Sequence, residues 1–227
     1  MEQKIKLSPN SLNLFLECPH CFWLEKKKGI RRPQPYPYAL NMAVDILLKK
    51  EFDSYRARQE VHPLLVENKI PAKLFPDQKL LNQWRNNFEG IRYYDSDLDA
   101  IFFGAVDDVL EFENGKLAPL DYKSTGSSVP KVYDRFQIQM DAYTFLLEKN
   151  GYLTPRKGYL AFYVVDKGNG FGNRLPFKKE IHGIETDPSD VYNLFKDAVN
   201  TLRKISPPDH SPDCPYGKWF QQASYFK

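Results

Sequence analysis

Two apolar runs, residues 100–112 and 117–123, flank an Asn114-Gly115 pair, and each carries acid toward one end. Asn-Gly between apolar segments is a strong short-range signal for a β-hairpin, because both residues tolerate the positive φ of a tight turn. The hairpin constrains the fold more than any other feature, since it lays Asp107 and Asp108 of the first strand beside Asp121 of the second. Residues two apart on a strand share a face, so Lys123 projects with Asp121. Crowded carboxylates repel unless a divalent cation lies between them. Such a pair, with an ammonium at its edge, has the chemistry for phosphodiester hydrolysis: a hard cation to activate water and a fixed positive charge.

The hairpin register has two solutions. A two-residue loop pairs Asp108 with Asp121, whereas a three-residue loop through Glu113 pairs Asp107 with it. Pro119 cannot donate to a ladder and marks a bulge or an edge nearby. Beyond Lys123, a polar run (residues 124–128) leads to a helix expected over 131–149. Gln139 and Tyr143 lie four apart on it and share a face, next to the apolar Phe136, Met140 and Leu147. Polar groups there are either satisfied core residues or parts of a site.

In order and spacing these elements resemble the PD-(D/E)XK nuclease superfamily, more closely its RecB-like branch. The pattern there is G-x-V-D, a hairpin, D-Y-K-(S/T), then Q-x-x-x-Y. Here it reads Gly104-Ala105-Val106-Asp107, Asp121-Tyr122-Lys123-Ser124, and Gln139 to Tyr143. The opening residues 7–12, through Cys18-Pro19-His20-Cys21-Phe22-Trp23, resemble the first helix of that branch. The resemblance runs from residue 6 to residue 220 or so and selects Asp107 on the first strand.

The resemblance implies an α/β (α+β) fold: a central mixed β-sheet flanked by helices, with a restriction-endonuclease-like core and a helical N-terminal region. It implies a metal-dependent deoxyribonuclease with Asp107, Asp121, Lys123, Gln139 and Tyr143 as catalytic residues. Lys123 would position the attacking water, and Gln139 and Tyr143 would orient Lys123 and the substrate strand. Mg²⁺ or Mn²⁺ would be held by Asp107, Asp121 and the backbone carbonyl of Tyr122. Where the branch carries G-x-x-x-H on an early helix, this chain has Asn41-Met42-Ala43-Val44-Asp45. Asp45 then becomes the expected ligand, its oxygen suiting a hard cation better than imidazole does. The implied action is exonucleolytic, on single-stranded DNA ends. The alternatives are a catalytically inactive nucleic-acid-binding module and an interaction subunit working with a helicase.

Some RecB-like nucleases pin their termini with a four-cysteine iron–sulfur cluster. This chain has Cys18-Pro19-His20-Cys21 and Cys214-Pro215-Tyr216-Gly217, three cysteines in all, with Gly217 where a fourth is expected. A four-thiolate cluster within one chain is thereby excluded. Zinc completed by a histidine is the other metal choice. Ring constraints disfavour His20, inside the C-x-x-C unit, and His210 is better placed. The expectation is a degenerate site in which Cys18, Cys21 and Cys214 are packed thiols.

A net charge of only +3 provides no whole-molecule field to gather a polyanion. DNA must then be held by a local patch, and Lys26, Lys27, Lys28, Arg31 and Arg32 form the densest one. Tyr36 and Tyr38 follow as stacking faces for unpaired bases. A charge run of this kind is also what an ordinary solvated helix end looks like. A hydrophobic content of 42% argues against disorder. No apolar run reaches membrane-span length, and Glu17, Pro19 and His20 break the N-terminal one, so neither a membrane anchor nor a signal peptide is expected. Without a disulfide framework, the expected location is the cytoplasm.

One domain over 1–227 is expected, with a helical part to about residue 90, a catalytic core over 91–205 and a tail over 206–227. Helices are expected at 8–18, 39–55, 77–88, 131–149 and 187–204, the second with Leu40, Ala43 and Leu47 at helical spacing. Strands are expected at 92–94, 100–112, 117–123, 156–165 and 177–186, with 156–165 buried on both faces.

Overall fold

The computed structural model describes residues 4–33, 39–127, 129–168, 170 and 172–225. Tyr36 and Tyr38 lie outside the described residues. The chain opens with β1 (Ile5–Leu7) and α1 (Pro9–Glu17). The Ser8 N–H donates to Ser11 Oγ at 3.2 Å, and Pro9 takes the first helical position. Cys18 is extended and ends α1; Pro19 then starts α2 (Pro19–Lys28), which closes on Gly29 at φ 70°. Proline suits a first helical turn because its missing N–H has no partner there anyway.

The next elements are α3 (Ala39–Arg58), α4 (Pro63–Glu67), β2 (Ala72–Leu74) and α5 (Gln78–Trp84). On α3 the buried stripe is Val44, Leu48, Phe52 and Arg56, whereas Leu40, Ala43 and Leu47 are exposed. The helix forms, but the apolar series that marks it in the sequence is not the one it buries. This helix is apolar on two sides, and the packing of Phe52 on Tyr122, with ring centroids 4.7 Å apart, selects the other one. α5 ends at Trp84, short of residue 88; Arg85 caps it and turns its Nε to the carbonyl of Asp107 at 2.6 Å.

Two mixed sheets follow rather than one. The small sheet has the order β1-β4-β3, built from β3 (Ile91–Asp95) and β4 (Ala100–Gly104) with β1 parallel to β4. The large sheet has the order β2-β5-β6-β7-β8, comprising β5 (Asp108–Phe112), β6 (Leu117–Thr125), β7 (Lys157–Val165) and β8 (Phe177–Glu185). Only β6 and β7 are parallel in it, joined through α6 (Asp134–Lys149). The expected strand over 100–112 is broken at residues 105–107 and passes from one sheet to the other. Two carbonyls that a continuous strand would offer to a ladder are taken by side chains: Ala105 accepts from Tyr143 Oη at 2.7 Å, and Asp107 from Arg85 Nε.

The β5–β6 hairpin has the three-residue loop. Phe112 N–H donates to Lys116 O at 3.0 Å, Gly115 sits at φ 74°, and Asp108 lies opposite Leu120. Continued by one residue, that register puts Asp107 opposite Asp121. Pro119 precedes Leu120, where the β6–β7 ladder begins, so its missing N–H breaks no ladder bond.

β7 is buried on both faces as expected. Leu160, Phe162 and Val164 join a core with α6 and α7 (Val191–Arg203), while Tyr159, Ala161 and Tyr163 join a core with α3 and α4. The large sheet is thus filled from both sides by alternate side chains. The chain closes with α8 (Pro215–Ser224). Among the described residues no helix is long and apolar enough to cross a membrane.

Candidate active site

Asp107, at the break between the sheets, turns its carboxylate to β6, where Oδ2 accepts the Tyr122 N–H at 3.1 Å. A strand residue points its N–H and C=O to the same edge, so the Tyr122 carbonyl lies on the Asp107 edge too. Asp121 is buried, only 2% exposed, and faces α6. Its Oδ1 accepts from Gln139 Nε2 at 2.8 Å, and its Oδ2 forms an ion pair with Lys123 without an aligned hydrogen bond among the described residues. Burial, and then the charge of Asp107, raise the Asp121 carboxyl from 3.8 to about 7. A buried, under-bonded carboxylate beside a second one fits a hard divalent cation.

Gln139 is fully engaged. Its amide nitrogen donates to Asp121 Oδ1 and, also at 2.8 Å, to Tyr143 Oη, while its carbonyl accepts from Lys123 Nζ at 3.2 Å. A flipped amide would turn its oxygen on the carboxylate, so the network sets the orientation. Tyr143 passes the chain of hydrogen bonds on to the Ala105 carbonyl. Lys123 also lies over the Phe136 ring, with Nζ 4.6 Å from its centroid. The five residues named as catalytic from the sequence are therefore in one network or directly beside it.

Asp45 reaches the same place through a residue that sequence reasoning missed. Lys49, one turn along α3, puts Nζ 2.8 Å from Asp45 Oδ2 and 2.9 Å from Asp107 Oδ1. Its ammonium takes a position between two acids that a cation suits. Its own pKa is raised despite burial, by Asp107 before Asp45. Asp45, Tyr122 and Lys123, with Met42 and Ile46, line a cleft of about 590 Å³ between α3 and β6.

Asp108 turns the other way, with no exposed surface. It accepts from Tyr122 Oη at 2.7 Å and pairs with Arg85 at 3.1 Å and with Arg56. Arg85 also binds Asp53 at 2.8 Å. A buried carboxylate needs such partners, and Arg85 also holds the carbonyl of Asp107. Adjacent acids at a strand start were the available signal, since one of them had to face the core and be paired.

The basic run is divided. Lys26, Lys27, Lys28 and Arg31 are exposed at the end of α2, and Lys26 and Lys27 border a cleft with Lys4 and Arg203 that is separate from the one at Lys123. Arg32 departs from the expected phosphate contact: it pairs with Glu17 at 2.6 Å and donates to Cys214 Sγ at 3.9 Å. Cys18, Cys21 and Cys214 are buried together, and His210, rather than His20, directs a ring nitrogen to them.

No curated protein matches the chain significantly. A solved structure described as "Crystal structure of SSO0001" is 13% identical, with a TM-score of 0.48, over 92% of this chain and 81% of the other. That likeness is too loose to decide anything about the site. A family model described as the PD-(D/E)XK nuclease superfamily matches residues 6–219. So little of the sequence falls outside that match that the chain belongs to the PD-(D/E)XK nuclease superfamily.

Proposed function

We propose that the chain is a nuclease of the RecB-like branch that hydrolyses DNA phosphodiester bonds with Mg²⁺ or Mn²⁺, as an exonuclease on single-stranded ends. The observation that carries this reading is the hydrogen-bond network from Asp121 through Gln139 to Lys123 and Tyr143, with the Asp107 carboxylate beside it on the Tyr122 N–H. A divalent cation bound there supplies a Lewis acid for the phosphate and a bound water of lowered pKa. Asp107 and Asp121 are the residues that would hold it, with Asp45 and the Tyr122 carbonyl as further oxygen donors. Lys123 holds its ammonium at the rim of Asp121, where it orients the attacking water and offsets charge on the phosphoryl oxygens. Gln139 keeps Lys123 and Asp121 in register, and Tyr143 fixes Gln139 against the backbone. Met42 and Ile46 offer apolar faces beside the acids in the same cleft.

The test is incubation of the purified chain with end-labelled single- and double-stranded DNA in Mg²⁺, Mn²⁺ or EDTA. Single strands should shorten with either metal and stay intact in EDTA. Asp121→Ala and Lys123→Ala should each lower the rate by about a hundredfold or more. An Asp121→Ala protein with native circular dichroism that cuts at the wild-type rate would sink the assignment. The competing reading, a binding module without hydrolysis, is favoured by the Lys49 ammonium already bridging Asp45 and Asp107. DNA binding with no cleavage in any metal would establish it.

A further inference from the structure

Remote in sequence from the acids, Cys18, Cys21, His210 and Cys214 converge so that one ligand atom from each lies within 4.8 Å of all the others. The closest approaches are Cys18 Sγ to His210 Nδ1 at 3.4 Å, Cys21 Sγ to Cys214 Sγ at 3.6 Å, and Cys21 Sγ to His210 Nδ1 at 3.9 Å. All three cysteines are free thiols. We propose that these four residues form a closed, structural zinc site that fastens the C-terminal segment to the junction of α1 and α2.

Three sulfurs and one imidazole nitrogen are a donor set of structural zinc. Size supports the same ion. Ligands about 2.0–2.3 Å from a central zinc stand roughly 3.3–3.8 Å apart at the corners of a tetrahedron; the three closest pairs here, at 3.4, 3.6 and 3.9 Å, are near that spacing, and the whole set lies within 4.8 Å. A cube of four irons and four sulfides would have to push the ligands much further apart.

The surroundings of Cys214 suit a thiolate. Cys214 caps α8, and its Sγ accepts the Gly217 N–H at 3.5 Å. Arg32 donates to the same sulfur, setting a positive charge against the net negative charge that three thiolates leave on zinc. The His210 ring stacks on His20 with centroids 3.7 Å apart, and His20 Nδ1 is tied to the Pro208 carbonyl at 2.8 Å. Gly217 explains why histidine completes the set. A Cβ added there would meet His210 Cγ at 2.8 Å, so the ring occupies the space a side chain at 217 would need.

The fold also has a use for the ion. Among the described residues, the apolar cluster around Cys18, Cys21 and Cys214 holds besides them only the partly buried Leu14 and Tyr216, and α8 leaves Trp219 and Phe220 exposed. Three thiols and two flanking side chains are a small anchor for a helix. On binding, each thiol that coordinates releases its proton, and the protein ligands close all four positions.

The experiment is metal and sulfide analysis of the full chain, purified in reductant without chelator and with no DNA present. One zinc per chain and no acid-labile sulfide are expected. An organomercurial thiol reagent should release that zinc, whereas Asp121→Ala should retain it, which separates this site from the acids. Refolding with Co²⁺ should give the intense visible absorption of a tetrahedral thiolate site. His210→Ala and Cys214→Ser should each lower zinc at least tenfold and expose the segment after residue 205 to protease. Four irons with four sulfides, or no metal at all, overturns the proposal, as does full zinc retention in both variants. Metal content of the unmodified chain decides the matter even if the variants fail to fold. An inactive protein with one zinc would refute the nuclease reading and leave this one standing.

Discussion

Lys49 shows how one side chain changes the meaning of its neighbours. In sequence, Asp45 and Lys49 are an i,i+4 pair of the kind that decorates any exposed helix. In the fold, the ammonium is shared with Asp107 and offsets acids that would otherwise repel. Lys49→Met should therefore destabilise the metal-free chain by about 1–3 kcal/mol, the cost of unpaired polar groups at a part-buried place. It should also enlarge the thermal shift given by Mn²⁺, because the ion no longer competes with an ammonium; an unchanged shift would remove Lys49 from the site. Asp121 sets a pH dependence. Its carboxyl titrates near 7 when folded and near 3.8 when unfolded, so the folded state holds the proton more tightly in between. The metal-free chain then loses stability from this group as pH rises from about 4 to about 7. Metal must displace that proton, so apparent Mn²⁺ affinity should climb by up to about tenfold per pH unit below 7 and level off above it. A calorimetric titration with no slope below pH 7 would contradict this.

At the scale of elements, the decisive event is the break between β4 and β5. It places Asp107 at the end of one sheet and the start of another, where its carboxylate can meet β6 instead of facing a ladder neighbour. Gly104 makes the break compatible with α6: an added Cβ would come within 2.8 Å of the Tyr143 ring and 2.9 Å of Leu146. Gly104→Ala should push α6 off β4, lengthen the Tyr143–Ala105 bond and misplace Gln139. Cleavage should fall by about tenfold or more, with a stability loss of about 1–3 kcal/mol from overpacking. Wild-type cleavage in that variant would mean that α6 does not position the site. The same scale explains which face of α3 is buried. Its apolar residues allow two phases, and Phe52 and Arg56, which reach Tyr122 and Asp108, choose between them.

Across the whole molecule, the large sheet separates two apolar cores, and the acids lie where β4, β5, β6, α3 and α6 meet. The exposed lysines of α2 border another cleft, so any contribution they make to DNA binding is a matter of path rather than chemistry. Charge reversal of Lys26, Lys27, Lys28 and Arg31 should flatten the salt dependence of single-strand binding, by about 0.7 in log–log slope for each phosphate no longer neutralised. The maximum cleavage rate should be unaffected at saturating DNA. An unchanged slope would move the strand away from α2, and Arg32, committed to Glu17 and Cys214, is left out of this set.

The sequence by itself determined what is local and periodic. The hairpin signal, the same-face spacing of Asp121 with Lys123 and of Gln139 with Tyr143, and the double burial of residues 156–165 all follow from strand and helix geometry. Distance in sequence hid the rest. Which aspartate faces the site depended on loop length at residues 113–115, which Asn-Gly alone left open between two registers. Lys49, Arg56 and Arg85 acquire their roles only when α3 and α5 dock on β5 and β6, because a charged side chain on a helix reads as solvated until something buries it. His210 and Cys18 are 192 residues apart. Only the closing of the chain's two ends against each other decides that they are neighbours.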